Sequence, residues 1–255
     1  MSEKGISIEN VSFAYENNRA AASQGCAERE LIFDNFSMEL PASKVSVILG
    51  PSGCGKTTLL NLVSGLLNSE DGSISSMNND EQNNFSVLFQ EPRLLPWRNI
   101  SRNIELVLKK HYGAEKARET AGHYLKLVGL EKFTEYFPAQ LSGGMRQRAA
   151  IARAFAFPAD TILMDEPFQA LDLGLKINLT SLFTKLWVED RRTSIFVTHD
   201  INEAILLGDE IFVLSGQRPA EVIEHISNPE AHQERNLESE TSINIEKKLY
   251  RLLTV

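Results

Sequence analysis

The chain is poor in three things, and each shortage excludes a class of function. It holds only two cysteines, Cys26 and Cys54, in 255 residues. That is too few for a disulfide framework, so both are expected as free thiols of a reducing compartment. No apolar run approaches the ~20 residues that cross a bilayer, and the opening MSEKGISIEN lacks the basic-then-apolar layout of a secretory leader. The chain is therefore expected in the cytoplasm, making any membrane contact through protein. Basic excess is missing as well: 26 Lys and Arg stand against 34 Asp and Glu, a formal charge of -8. Such a chain has no general field for gripping phosphodiester backbones, so nucleic acid is not an expected partner.

What is present is the composition of a globular protein, 42% hydrophobic and 24% charged. The length suits one α/β domain with a helical elaboration. Ile6, Ile8, Val11, Phe13 and Tyr15 alternate with polar residues, periodicity lapses over NNRAAASQGCAERE, and LIFDNFSMEL restores it before Pro41. This predicts antiparallel strands joined by a long loop. VSVIL (45–49), a glycine-rich turn and TTLLNLVSGLL then predict strand, turn and helix in succession. SEDGSISSMNNDEQNN reads as a polar spacer before the strand FSVLF. Between Arg102 and Ala156 only helical patterns occur, which predicts an inserted helical subdomain. TILMDE and TSIFVTH are buried-type runs of a parallel sheet. The tail after Pro219 carries one signal, an amphipathic helix near IEKKLYRLL.

The strongest chemical signal is GPSGCGKTT. Gly50, Gly55, Lys56 and Thr57 satisfy the spacing G-x-x-x-x-G-K-[ST] directly after a strand and before a helix. Glycines let successive backbone N–H groups turn inward as an anion-binding concavity, and the helix dipole adds its positive end at the same point. The backbone of Gly50, Pro51, Ser52, Gly53, Cys54 and Gly55 would wrap a polyphosphate. Lys56 would neutralise its β- and γ-oxygens, Thr57 would hold Mg²⁺ and Thr58 would add a phosphate contact.

TILMDEP ends an apolar strand in Asp165 and Glu166. A strand-end acidic pair is ordinarily a solvated cap, but beside a phosphate loop it divides into two tasks. Asp165 would orient the metal and Glu166 would position or deprotonate the attacking water.

LSGGMRQR, Leu141 to Arg148, opens a helix with Ser142, Gly143 and Gly144, so hydroxyl, amides and dipole form a second anion site. This stretch resembles the signature motif of ABC ATPases, and it lies between the phosphate loop and the acidic strand as that family requires. The resemblance extends from about Ile6 to Ser215. It implies a P-loop NTPase core with a mixed sheet, an antiparallel β subdomain and an inserted α-helical subdomain over about 91–157. The ATPase domain is expected over 1–220 and a tail, helical at its end, over 221–255.

The resemblance also implies roles for further residues. Tyr15 resembles the aromatic that stacks on adenine. Gln90 resembles the glutamine that senses Mg²⁺ and the water, and His199 the switch histidine at the γ-phosphate. Gln147 joins the nucleotide-contacting set with the signature residues. Ala170, Leu171 and Asp172 resemble the loop that crosses the dimer interface. Glu166, His199, Gln90 and Lys56 would form the catalytic set, with ATP and Mg²⁺ as cofactors.

The implied partners are a second copy arranged head to tail, transmembrane permease subunits and an extracytoplasmic solute-binding protein. The chain would then sit peripherally on the inner face of the cell membrane. Leu94, Leu95 and Trp97 are candidates for the docking surface. FQEPRLLPWRNI and MDEPFQALD look most like importer ATPases for nitrate, sulfonate, taurine or pyrimidine precursors. The sequence departs from that group in a longer loop over 17–30, a shorter Asn-rich stretch over 69–84, and Gln169 where a small residue is commoner. Two alternatives are a non-transport ABC ATPase acting on DNA or ribosomes and an exporter ATPase. The first usually carries a long coiled-coil insertion or a second cassette, and neither is seen in this sequence.

Overall fold

A computed structural model describes residues 5–17, 28–76, 84–169 and 171–253. Cys26, Ala170 and most of the 17–30 loop lie outside the described residues. The chain begins β1 (Ile6–Asn17), β2 (Glu28–Leu40), β3 (Val45–Leu49), α1 (Lys56–Val63), β4 (Asp71–Ser76) and β5 (Phe85–Leu88). Next come α2 (Ile100–Tyr112), α3 (Ala114–Leu127), α4 (Gly143–Ala156), β6 (Thr161–Asp165) and α5 (Leu173–Asp190). The remainder is β7 (Thr193–Thr198), α6 (Ile201–Leu207), β8 (Glu210–Leu214), β9 (Val222–Ser227) and α7 (Glu240–Leu253). Two compact units divide it: Met1–Asn83 with Ile195–Val255, and Asn84–Ser194.

In the first unit, β2, β1 and β4 form an antiparallel sheet in that order. The spacing of three between Ile8 and Val11, where strict alternation would give two, marks a bulge. The register shifts there and Asn10 takes a left-handed φ of 53°. Buried Ile6, Ile8, Val11 and Phe13 thereby stay on one face. β4 passes so close to the bulge that a Cβ on Gly72 would lie 2.4 Å from the carbonyls of Glu9 and Asn10. The stretch read as a polar spacer thus contains a strand, in which Gly72 allows the close approach and Ile74 stands opposite Ile8.

The other strands of this unit include a mixed set: β3 runs parallel to β8, and β9 pairs antiparallel with β8. Both β3 and β8 are buried throughout. β9 lies in the tail from which only a terminal helix was expected, so the sheet continues past residue 220. A buried polar cluster ties this region together. Asp209 accepts from the Val45 amide at 2.8 Å and from Arg235 at 2.6 Å, and His232 Nε2 lies 3.0 Å away.

In the second unit, β5 and β6 are parallel. Ala149, Ala150, Ala152 and Ala154 are buried on α4 and keep that helix slim, and Ser86 of β5 donates to the Ala154 carbonyl at 2.9 Å. Arg192 closes the far end of α4, donating to the carbonyls of Phe155 (2.7 Å) and Phe157 (2.6 Å) and pairing with Asp190.

Candidate functional site

The phosphate loop belongs to the first unit and follows β3, whose fully buried run ends at Leu49. Gly53 and Gly55 take φ of +82° and +111°. At Gly55 a side chain is barred twice, since a Cβ would also lie 2.8 Å from Ile32 Cγ2 and 3.1 Å from Phe33 Cζ. The Gly55 carbonyl accepts from Leu59 at 2.8 Å, opening α1 at Lys56. Lys56 is 4% exposed and its ammonium donates to the carbonyls of Gly50 (2.8 Å) and Pro51 (2.9 Å), so the cation is held at the loop. Thr57 is exposed on the first turn of α1, while Thr58 is buried with its hydroxyl 3.3 Å from Tyr15 Oη. Tyr15 is otherwise an open face, 40% exposed and packed edge-on against Phe13. Pro51, Ser52 and Gly53 are exposed, whereas Gly50 and Cys54 are buried.

His199 is exposed one residue beyond β7. Its neighbours are held on both sides. The Thr198 hydroxyl donates to Glu203 at 2.6 Å, and the Asp200 carboxylate accepts from the amides of Asn202 (2.8 Å) and Glu203 (3.3 Å). A residue that the motifs did not single out also reaches the phosphate loop: Arg218 donates from Nε to the Gly53 carbonyl at 3.1 Å and pairs with Glu30.

In the second unit β6 delivers Asp165 and Glu166, both half-buried. Glu166 takes φ of 43°, a left-handed conformation uncommon for a residue with a side chain, and its carbonyl accepts from Gln169 at 3.1 Å. Gln90 is exposed just beyond β5. The signature segment opens α4: Ser142 Oγ accepts from the Met145 amide at 3.3 Å, and Arg146 donates to the Leu141 carbonyl at 2.7 Å. Ser142 and Gly143 face solvent, while Gly144 backs onto Leu175, whose Cδ1 would lie 2.7 Å from an added Cβ. Gln147, assigned above to nucleotide contact, is 2% exposed, and its amide donates to the Pro167 carbonyl at 2.6 Å. Asp172 caps α5 by accepting from the Leu175 amide at 2.9 Å, and Leu171 beside it is half-buried.

The proline-rich loop after Gln90 is pinned from inside the same unit. Arg153, whose guanidinium is pushed down by burial, donates to the carbonyls of Pro92 and Arg93 at 2.8 Å each. Asn103 accepts from the Leu95 amide at 2.6 Å and donates to the Arg98 carbonyl at 3.0 Å. Leu94 and Leu95 are left half-buried and Trp97 is 70% exposed.

Residues 33–169 match the family described as ABC transporter. The chain is 40% identical over 197 residues to the taurine import ATP-binding protein TauB of Yersinia pestis, covering 76% of this chain and 77% of that protein. It is 36% identical over 209 residues to the aliphatic sulfonates import ATP-binding protein SsuB 1 of Mesorhizobium japonicum, covering 80% and 79%. Among solved structures, it is similar to the ATP-binding cassette MJ0796, a dimer in a post-hydrolysis state bound to ADP and Pi. That match has a TM-score of 0.73 and 32% identity, and covers 87% of this chain and 98% of that one. A phosphate loop, an acidic strand end and a serine-capped signature helix, found together in a sequence with these relatives, place the chain in the ABC transporter family as an ATP-binding, ATP-hydrolysing cassette.

Proposed function

We propose that the chain is the motor subunit of an importer, closing against a second copy when ATP binds and reopening after hydrolysis. The observation that carries this is that two helices of one polypeptide open from glycine-bearing turns, at Gly50–Thr58 and at Ser142–Gly144, both of which we read as anion sites. A single nucleotide can use only one of each kind, so a head-to-tail pair would complete both. The dimeric cassette among its structural relatives supports pairing of two copies.

In this reading Lys56 and the loop amides bind the β- and γ-phosphates, Tyr15 stacks on adenine, and Ser142 with its glycines engages the γ-phosphate held by the twin. Glu166 positions and deprotonates the attacking water, and His199 hydrogen-bonds the γ-phosphate. Mg²⁺ would neutralise charge on the phosphate oxygens. The Thr57 hydroxyl, the Gln90 amide oxygen and the Asp165 carboxylate are hard oxygen donors of the kind it takes. The ATPase domain is assigned to residues 1–220, with the helical insertion at about 91–157, and β9 carries its sheet on into the tail beyond 220.

Trp97, with Leu94 and Leu95, docks on transmembrane permease subunits, which would hold the chain at the inner face of the membrane with a solute-binding protein on the other side. The names of its relatives favour a small sulfonate such as taurine over nitrate or a pyrimidine precursor.

Size-exclusion chromatography of the Glu166→Gln variant tests the pairing: Mg-ATP should convert monomer to dimer, and a monomer at saturating ATP would refute it. Co-purification with a multi-spanning membrane protein is expected. Recovery with ribosomes or DNA instead would favour a non-transport ATPase. Taurine or sulfonate uptake by vesicles containing the assembled complex tests the solute.

A further inference from the structure

The phosphate loop is held from outside by a residue 165 positions away in the chain. Arg218 donates to the Gly53 carbonyl from Nε at 3.1 Å and from Nη2 at 2.5 Å. Its guanidinium also pairs with Glu30, whose register partner across β1 and β2 is Tyr15. The peptide that Arg218 grips joins Gly53, at φ +82°, to Cys54. On its other side the Cys54 amide donates to the Pro51 carbonyl at 3.4 Å. A peptide that follows a glycine has more rotational freedom than most, and an anion cradle works only while its carbonyls point away from the phosphate.

We propose that Arg218 is a positioning residue for the phosphate loop, its fork fixing the Gly53 carbonyl outward so that the cradle is preformed, with Glu30 fixing the fork. Arg218 and Glu30 side chains are 36% and 50% exposed. An ion pair so open to solvent adds little to global stability. Its effect therefore falls on the conformation of the loop, and so on phosphate affinity. The inference rests on the assignment of Gly50–Thr58 as the phosphate site.

Calorimetric titration of the full chain with Mg-ATP and with Mg-tripolyphosphate tests it, alongside steady-state hydrolysis and thermal unfolding. Arg218→Gln should weaken both ligands by about tenfold, the worth of one charge-assisted hydrogen bond. The rate at saturating ATP should stay within about twofold of the parent, and the melting temperature should not move. Arg218→Lys, which keeps one charged donor, should recover part of the affinity, and Glu30→Gln should show a smaller loss than Arg218→Gln. Parental affinity in Arg218→Gln would overturn the proposal. So would a loss confined to ATP, or a joint fall of rate and melting temperature that lysine does not rescue. Lys56→Ala separates the two layers. If it binds both ligands like the parent, the phosphate-site assignment itself fails. If it abolishes binding while Arg218→Gln binds normally, only the role of Arg218 fails.

Discussion

The side-chain amide of Gln147 donates a 2.6 Å hydrogen bond to the carbonyl of Pro167, so the second turn of α4 grips the residue that follows Glu166. Gln147 is almost wholly buried, and Glu166 sits in a left-handed conformation that something must stabilise. The helix opened by Ser142 and the candidate base are thereby joined through one side chain.

Replacing Gln147 by Met keeps the volume and removes the donor. Losing the bond is expected to cost about 1–2 kcal/mol of stability and, because Glu166 loses its support, to lower turnover while leaving ATP affinity near the parental value. Denaturant unfolding and equilibrium nucleotide binding, measured beside the rate, check this. Affinity and rate falling in proportion would contradict it.

Glu166→Gln should bind ATP like the parent and hydrolyse it at least about 100-fold more slowly, the ordinary contribution of a general base. Single-turnover hydrolysis is the measurement. A variant that still turns over at the parental rate would remove Glu166 from that role.

Acid sensitivity should come in part from Asp209, whose carboxyl is held down from 3.8 to about 2. Burial opposes its ionisation, but the His232 hydrogen bond, the Val45 amide, the attraction of His232 and the Arg235 hydrogen bond outweigh it. The folded-state value lies below the unfolded one. The stabilisation is therefore complete above about pH 4 and drains away as pH falls towards 2, amounting to about 2 kcal/mol. Asp209→Asn should flatten the dependence of unfolding free energy on pH in that window. An unchanged slope would mean that other carboxylates carry it.

The fold class was legible where side chains carry the pattern. VSVIL, TILMD and TSIFVT are apolar runs followed by chemistry-bearing turns, and burial in a sheet is what such runs require. β4 escaped notice because DGSISS carries a single apolar residue, Ile74 opposite Ile8, too few to show an alternating pattern. β8 and β9 lie in a stretch where no motif drew attention to EIFVL or VIEHIS. Within the candidate site, local motifs such as the glycine loop and the LSGG turn can be read from spacing alone. The grip of Arg218 on Gly53 cannot, because a single arginine in a Ser-Gly-Gln-Arg-Pro turn has no periodicity and its partner is remote in sequence. Gln147 is similar: its place on a helix could be read, but not the carbonyl that it faces.

Trp97 is 70% exposed on a loop held by Arg153 and Asn103. Trp97→Ala should leave melting temperature and nucleotide binding unchanged. If this surface docks on membrane subunits, affinity for them should fall by roughly 30-fold, as for a buried aromatic anchor worth about 2 kcal/mol. Association measured with the detergent-solubilised complex checks this, and retention of full affinity would move the docking surface elsewhere.

Cys54 is 1% exposed inside the phosphate loop, its sulfur only 2.9 Å from where a Cβ on Gly50 would stand. Its thiol is sealed beneath the loop rather than offered to the nucleotide, so a maleimide can reach it only when the loop lifts from its seat. In a Cys26→Ser background the alkylation rate becomes a native clock for that excursion, one that needs no attached dye.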